Sequence, residues 1–479
     1  MALKVNLAKN AFFSGLAGSS NIALLVLLIL AGRYLGVEGF GVLTFALAFV
    51  TIFALFADLG VTEILKRAIA RSPSETSRLY GNVLIWKVVL SAGTFAAIVV
   101  AIQLLRYPLA VRTVVYILGA AALLRSFKLT TLSVFQANER FDLHAVFVIL
   151  HNILLLAFGA TVLVATGDLI AFTCVFLGVR VVDLTAAIFV LHRKIAPVSF
   201  QLDRALVHRL QREAISLGLF AVIIEIDWSV DSVMLSLIRS EVDVGLYNAG
   251  YRLFDGMMLL PMVLYQAVSP QLHRLYESNQ RAHFELAQRA IKYGAVGSAL
   301  ITGCGIVIAP EILHVLFGEE FEGGVGAFRI LLVGLAFVTF SFVTQAVLIS
   351  IDRQRMLTAI GFSALFTNVL VNLALIPTYG PTGAAIATVA SAAVATVLSF
   401  RAIASEYHSI RVFRLSFLPL AAICIAAGVT YGVGFEGGLG YLTGTTLLYG
   451  IGLLVFGVFD REELRSIRRL VAQRGRSSD

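Results

Sequence analysis

Charge is scarce in this sequence. Only 14% of its 479 residues are Asp, Glu, Lys or Arg, against 59% hydrophobic ones, whereas a soluble domain needs roughly 25% charged residues to cover its surface. That shortage excludes a water-soluble globular protein. Cysteine is scarce too. Cys174, Cys304 and Cys424 lie far apart in apolar runs, without metal-ligand spacing, and read as small packing residues. There is no nucleotide-binding glycine loop, no nucleophile arrangement and no cluster of metal ligands, so no cofactor and no metal are expected. Alternation of apolar and polar residues is missing, which excludes the strands of a membrane barrel. No cleavable leader is expected either. "MALKVNLAKN" runs into an apolar stretch too long for a signal-peptide core and reads as the start of a retained first helix.

Long uncharged runs are what the sequence has instead. The stretch Met356–Phe400 contains no Asp, Glu, Lys or Arg, room for two helical crossings with a turn between them. Apolar runs bounded by charges or turn residues give about fourteen spans. They cover residues 10–32, 39–65, 80–105, 109–132, 143–165, 169–191, 213–238, 244–270, 287–308, 326–350, 355–377, 380–404, 411–431 and 440–459. The fold class is therefore all-α and integral to a membrane. With both ends in the cytoplasm, roughly 29 of the 37 Lys and Arg residues fall on the cytoplasmic side, the asymmetry that translocation enforces. The net charge of +8 then needs no nucleic acid. Basic loops and the Arg-rich tail from Arg461 to Arg476 face anionic membrane lipids.

The chain also repeats itself. "GFGVLTFALAF" opens the second span and "DVGLYNAGYRLF" the eighth, at an offset near 204; "NERFDLHAVFVILHN" and "DRQRMLTAIGFSALFTN" correspond at an offset near 216. Two halves of six spans follow, each beginning on the same side, with the last two spans added outside the repeat. The expected organisation is an N-terminal lobe over residues 1–212, a C-terminal lobe over 213–406, and a remainder over 407–479. Two such lobes enclose a central cavity, and rocking about it is the usual use of that architecture.

A charge at mid-bilayer costs about 2.5–3.5 kcal/mol on the lenient insertion scale, so it faces a cavity or a partner. Glu63, Lys66 and Arg67 sit near a span end, where long side chains reach the headgroups. Deeper lie Arg180 with Asp183 and Arg252 with Asp255, each pair three apart on one helical face. "EIDWSVDSVMLSL" adds Glu225, Asp227 and Asp231. The two aspartates share a face and Glu225 points away from them. Two arrangements satisfy these groups. In one, Arg180–Asp183 and Arg252–Asp255 are intrahelical ion pairs and the remaining carboxylates bond to neighbouring spans. In the other, Arg180, Arg252, Lys87 and Asn21 hold an anionic headgroup in a wet cavity, where arginine's fork matches phosphate. Glu225, Asp227, Asp231 and Asp255 then serve as cavity or ion-coupling carboxylates.

Pro377 ends a span, Tyr379-Gly380-Pro381 turns the chain, and Gly383 to Ala385 let the next helix pack closely. The whole motif, "VNLALIPTYGPTGAAIAT", resembles that of the Wzx-like polysaccharide flippases of the multidrug/oligosaccharidyl-lipid/polysaccharide exporter superfamily. So do "RYLGVEGFGVLTFALAF", "ADLGVTEILKRAIAR", "QANERFDLHA", "VGLYNAGYRL" and "SPQLHRLY", in order over the first twelve spans. The resemblance implies fourteen helices in two lobes and movement of a lipid-linked oligosaccharide from the cytoplasmic to the outer leaflet; with the mid-membrane arginines, the leading expectation is a flippase for a polyprenyl-(pyro)phosphate-linked unit. The expected partners are a polyprenyl-linked sugar substrate, membrane lipids and polysaccharide-assembly proteins. The resemblance fixes no binding residues, so the arginines and carboxylates rest on the residue argument above. A proton- or sodium-coupled cation antiporter of the same superfamily is the alternative. An integral-membrane polymerase or ligase is disfavoured, because the longest external connection, about 17 residues from Ala309 to Val325, is too short for a catalytic domain.

Overall fold

The structure, a computed structural model, describes residues 22–199, 203–404, 412–433, 438–459 and Glu463. Asn21 and all of the Arg-rich tail except Glu463 lie outside the described residues. Among the described residues there are fourteen α-helices, three 3-10 turns and no strand. In chain order they are α1 (Ile22–Ala54), α2 (Val61–Arg71), α3 (Thr76–Leu104), α4 (Leu109–Ala137), α5 (Phe141–Thr166), α6 (Leu169–Lys194) and α7 (Arg204–Ile238). There follow α8 (Glu241–Met257), α9 (Leu259–Ser278), α10 (Gln280–Leu316), α11 (Val325–Ser350), α12 (Gln354–Ala404), α13 (Val412–Gly432) and α14 (Gly438–Val455). Among the described residues, eight helical stretches are long and apolar enough to cross a membrane. Outward-facing Leu104, Val182, Phe366 and Leu447 are largely exposed, as suits a hydrocarbon solvent.

Every expected span meets helix, and the places where helix and span differ have local causes. α1 and α12 each carry two expected spans. α1 breaks at Gly36 (φ +69°) and α12 at Gly380 (φ +52°), the latter between Pro377 and Pro381, as the turn chemistry predicts. The second expected span is interrupted. It stops in a 3-10 turn at Leu55–Ala57 and restarts as α2, where Leu59 and Gly60 take positive φ (+45° and +82°) and turn the chain. The eighth expected span is split between α8 and α9, with Pro261 in the first turn of α9, where its missing N–H leaves nothing unsatisfied.

The helices form two compact units. One comprises Met1–Gly256, Leu313–Ala327 and Leu365–Ala387; the other comprises Met257–Ile312, Phe328–Ala364 and Thr388–Asp479. In the first, Leu65 and Ile69 of α2, Tyr80 of α3, Phe135 of α4, Leu191 of α6 and Leu210 of α7 make one buried cluster. In the second, Ala299 of α10 packs with Ile423 and Ala426 of α13 and Tyr449 and Leu453 of α14.

The internal repeat has a geometric counterpart inside the first unit. A Cβ on Gly41 would collide with the carbonyl of Glu241, and a Cβ on Gly245 would collide with the carbonyl of Val37. Gly245 stands to Gly41 as Glu241 stands to Val37 in the register of the repeat, so the contact is reciprocal. Backbones this close leave room only for glycine. A second likeness is conformational. Glu139 and Asp352 both sit at φ +57°. The following N–H then bonds back over five residues in each case, Arg140 to Phe135 (2.8 Å) and Arg353 to Leu348 (2.9 Å). This is the helix-ending turn in which the chain passes through a left-handed residue.

Candidate functional site

The first unit encloses a cavity of about 400 Å³ among α1, α4, α5, α6, α7 and α8. Leucines of α1 and α4, with Val148 and Leu155 of α5 and Phe176 of α6, line the apolar part of its wall. Four cations stand in the same wall: Arg125 and Lys128 from α4, Arg180 from α6 and Arg252 from α8. The only acids among its lining residues are Glu225 of α7 and Asp255 of α8. The lining is net positive.

Arg180 is in the cavity because its expected partner is engaged elsewhere. Asp183, one turn on, is 2.5 Å from Lys128 Nζ and 3.1 Å from His151 Nδ1. All three of these side chains are buried, and Lys128 Nζ also donates to the Phe147 carbonyl at 3.1 Å. The intrahelical Arg180–Asp183 pair expected from spacing does not form. Spacing puts two residues on one face, but the long reach of Lys128 from α4 decides the pairing. Arg252 does pair within its helix, with Asp255 at 3.3 Å. Its guanidinium carbon lies 5.9 Å from the Tyr251 ring centre, within cation–π range.

Lys87 is not part of the cavity lining. It is 0% exposed, and its Nζ donates to Asp58 Oδ1 (2.5 Å), Thr130 Oγ1 (2.7 Å) and the Ser126 carbonyl (3.0 Å). The break after α1 brings Asp58 beside it, so the side chain closes on protein oxygens and is not free for a headgroup. Asn21, the other expected polar contact, lies outside the described residues.

The three carboxylates of α7 divide as helical geometry requires. Glu225 lines the cavity together with Trp228, Ser229 and Ser232, one face at intervals of three and four. Asp227 and Asp231 lie off that lining. Asp231 is 1% exposed and accepts from Tyr247 Oη (2.8 Å) and Asn372 Nδ2 (2.6 Å), with Asn372 in turn donating to Asn368 Oδ1 (2.7 Å). One oxygen of Asp227 is buried with no hydrogen-bond partner.

Arg125 and Lys128 belong to the cavity wall and were not among the residues singled out from sequence. Both fall within the fourth expected span, three apart, on a helix whose described residues include no acid. Two cations on one face with no acid on their own helix also occur at a span end, so this pattern alone does not mark them as cavity residues.

Residues 7–274 match the family described as polysaccharide biosynthesis protein. The chain belongs to that family. The match covers more than half the chain and bears out the resemblance to polysaccharide flippases. The chain is 26% identical over 445 residues to "Probable low-salt glycan biosynthesis flippase Agl15" of Haloferax volcanii, covering 87% of this chain and 90% of that one. It is 28% identical over 182 residues to "Probable flippase AglR" of the same organism, a match that spans only 37% of the relative's length. Among solved structures it resembles the lipid II flippase MurJ in an inward closed conformation, with a TM-score of 0.76 at 15% identity. That likeness covers 94% of this chain and 99% of MurJ, and it is a likeness of fold. The family and the fold thus agree on a multi-span membrane protein.

Proposed function

We propose that the protein is a flippase that carries a polyprenyl-(pyro)phosphate-linked oligosaccharide across the cytoplasmic membrane for surface polysaccharide synthesis. The observation that carries this reading is the cation-rich wall of the cavity, in which Arg125 and Arg180 have no ion-pair partner among the described residues. Guanidinium groups stay charged at any working pH and donate paired hydrogen bonds to phosphate oxygens. An anionic headgroup meets Arg125, Arg180 and Arg252 there, while its hydrocarbon tail stays in the lipid. Alternating access of the lobes over residues 1–212 and 213–406 moves the headgroup between leaflets. The distribution of basic residues supports a cytoplasmic side for both termini.

Ion coupling falls to the carboxylates. Asp231 accepts from Tyr247 and Asn372, and Asp227 beside it keeps a buried oxygen without a hydrogen-bond partner among the described residues. This pair also supports the second reading, a proton- or sodium-coupled antiporter of cationic compounds. The cation-rich cavity wall weighs against a cationic cargo.

The test is headgroup accessibility on each side of the membrane. Arg180→Ala and Arg252→Ala should each abolish transfer at normal protein levels. Transfer at the wild-type rate by both variants removes these arginines from the site. Efflux of a cationic dye that stops on Asp227→Asn would favour the antiporter.

A further inference from the structure

Outside the cavity, the start of α7 is fastened along the flank of α3. Ser77 Oγ donates to the Pro197 carbonyl (2.5 Å), Arg78 Nη2 to Asp203 Oδ2 (2.7 Å), and the Asp203 N–H to Asn82 Oδ1 (2.5 Å). The Ser199 carbonyl rests against Gly81 so closely that a Cβ there would collide with it. Asp203 also caps α7 by accepting from the Leu206 N–H at 3.0 Å, which fixes the direction of its first turns.

This fastening leaves a groove of about 490 Å³ with two unlike walls. One is apolar, made by Ile85, Trp86 and Val89 of α3 with Val207 of α7. The other is polar, made by Arg204, His208 and Gln211, which share one face of α7. None of those three has a hydrogen-bond or ion-pair partner among the described residues. Trp86 Nε1 is buried and also unpartnered, although a buried indole N–H normally finds an acceptor.

The geometry points to a binding site for one anionic phospholipid, its phosphate on Arg204 and His208 and its acyl chain along the apolar wall that includes the Trp86 ring. Basic and aromatic side chains together at a span end suit the headgroup level of a bilayer. A small anion would leave the apolar wall uncovered. A plain hydrocarbon chain would leave the basic wall without a counter-charge. The site stands apart from the transport cavity and does not rest on the function proposed above.

The chain has two tryptophans, Trp86 and Trp228, so Trp228→Phe makes Trp86 the sole indole reporter. In mixed vesicles, phosphatidylglycerol with brominated acyl chains should quench Trp86 at a mole fraction about fivefold lower than brominated phosphatidylcholine does, the factor for roughly one favourable basic contact. Arg204→Ala with His208→Ala should erase that preference. Equal quenching by the two lipids before those substitutions, or an unchanged preference after them, overturns the proposal. Relief of quenching by polyprenyl phosphate at lower mole fraction than by unbrominated phosphatidylglycerol would also overturn it, by assigning the groove to a substrate tail. Should Trp228→Phe impair folding, native mass spectrometry of the otherwise unaltered protein gives the same decision. One phosphatidylglycerol should be retained and lost on Arg204→Ala, and retention that survives the change refutes the site.

Discussion

Lys87 and Arg180 are both cations deep in hydrophobic helices, yet their surroundings are opposite. Lys87 is enclosed by Asp58, Thr130 and the Ser126 carbonyl, with Thr62 Oγ1 at 3.3 Å. Arg180 faces a cavity, and the acid spaced to meet it is taken by Lys128 and His151. Hydropathy assigns the two residues similar costs of insertion. What separates them is whether neighbouring helices supply acceptors. A saturated cation serves the architecture, and a cation left without protein acceptors beside a cavity is available to a ligand.

The largest expected effect tests the saturated side. Asp58→Asn leaves the wholly buried Lys87 with neutral oxygens only, and breaking a buried pair from one side costs about 3–5 kcal/mol. The purified variant should melt far below the parent in detergent and lose monodisperse protein. Lys87→Met in the same background should recover part of that loss, since it removes the stranded charge. Arg180→Ala should melt close to the parent while losing transfer. Equal melting of Asp58→Asn and Arg180→Ala would break the comparison.

An intermediate effect is expected where architecture depends on contact without charge. Gly41→Ala and Gly245→Ala each drive a methyl group into a carbonyl of the opposite element, an overpacking worth about 1–3 kcal/mol. Because the two contacts are reciprocal, the two melting temperatures should fall by similar amounts. A fall for one variant alone would mean that the repeat does not extend to the energetics of this corner.

Much of this arrangement is legible in the sequence. Charge scarcity and run length place the helices, Pro377 and Pro381 mark the turn at Gly380, and the offset near 204 anticipates the reciprocal glycine contact. Helical spacing also separates Glu225 from Asp227 and Asp231 correctly. Pairing between helices is where spacing ceases to inform. The interval from Arg180 to Asp183 is as favourable as that from Arg252 to Asp255, but only the second pair forms, because Lys128 and His151 come from other helices. Lys87 illustrates the same point, since its cage depends on a break after α1 that hydropathy runs straight through. Arg125 and Lys128 went unrecognised because two cations without acids on their own helix resemble a span end when depth is judged from sequence alone.

The smallest expected effect on stability bears most directly on the open side. Asp255 meets Arg252 across one turn, and both side chains keep some exposure, 35% and 21%. A pair of this kind contributes about 0.3–0.5 kcal/mol, so Asp255→Asn should leave the melting temperature nearly unchanged. Its effect on binding should be larger, because the same carboxylate competes with phosphate for the guanidinium. Trp228 lines the cavity, and its fluorescence on titration with polyprenyl phosphate should show tighter binding by the variant. Weaker binding would mean that Asp255 holds Arg252 in the posture the headgroup needs. The contrast between the two cations would then be one of degree, with Arg252 intermediate between the caged Lys87 and the open Arg180.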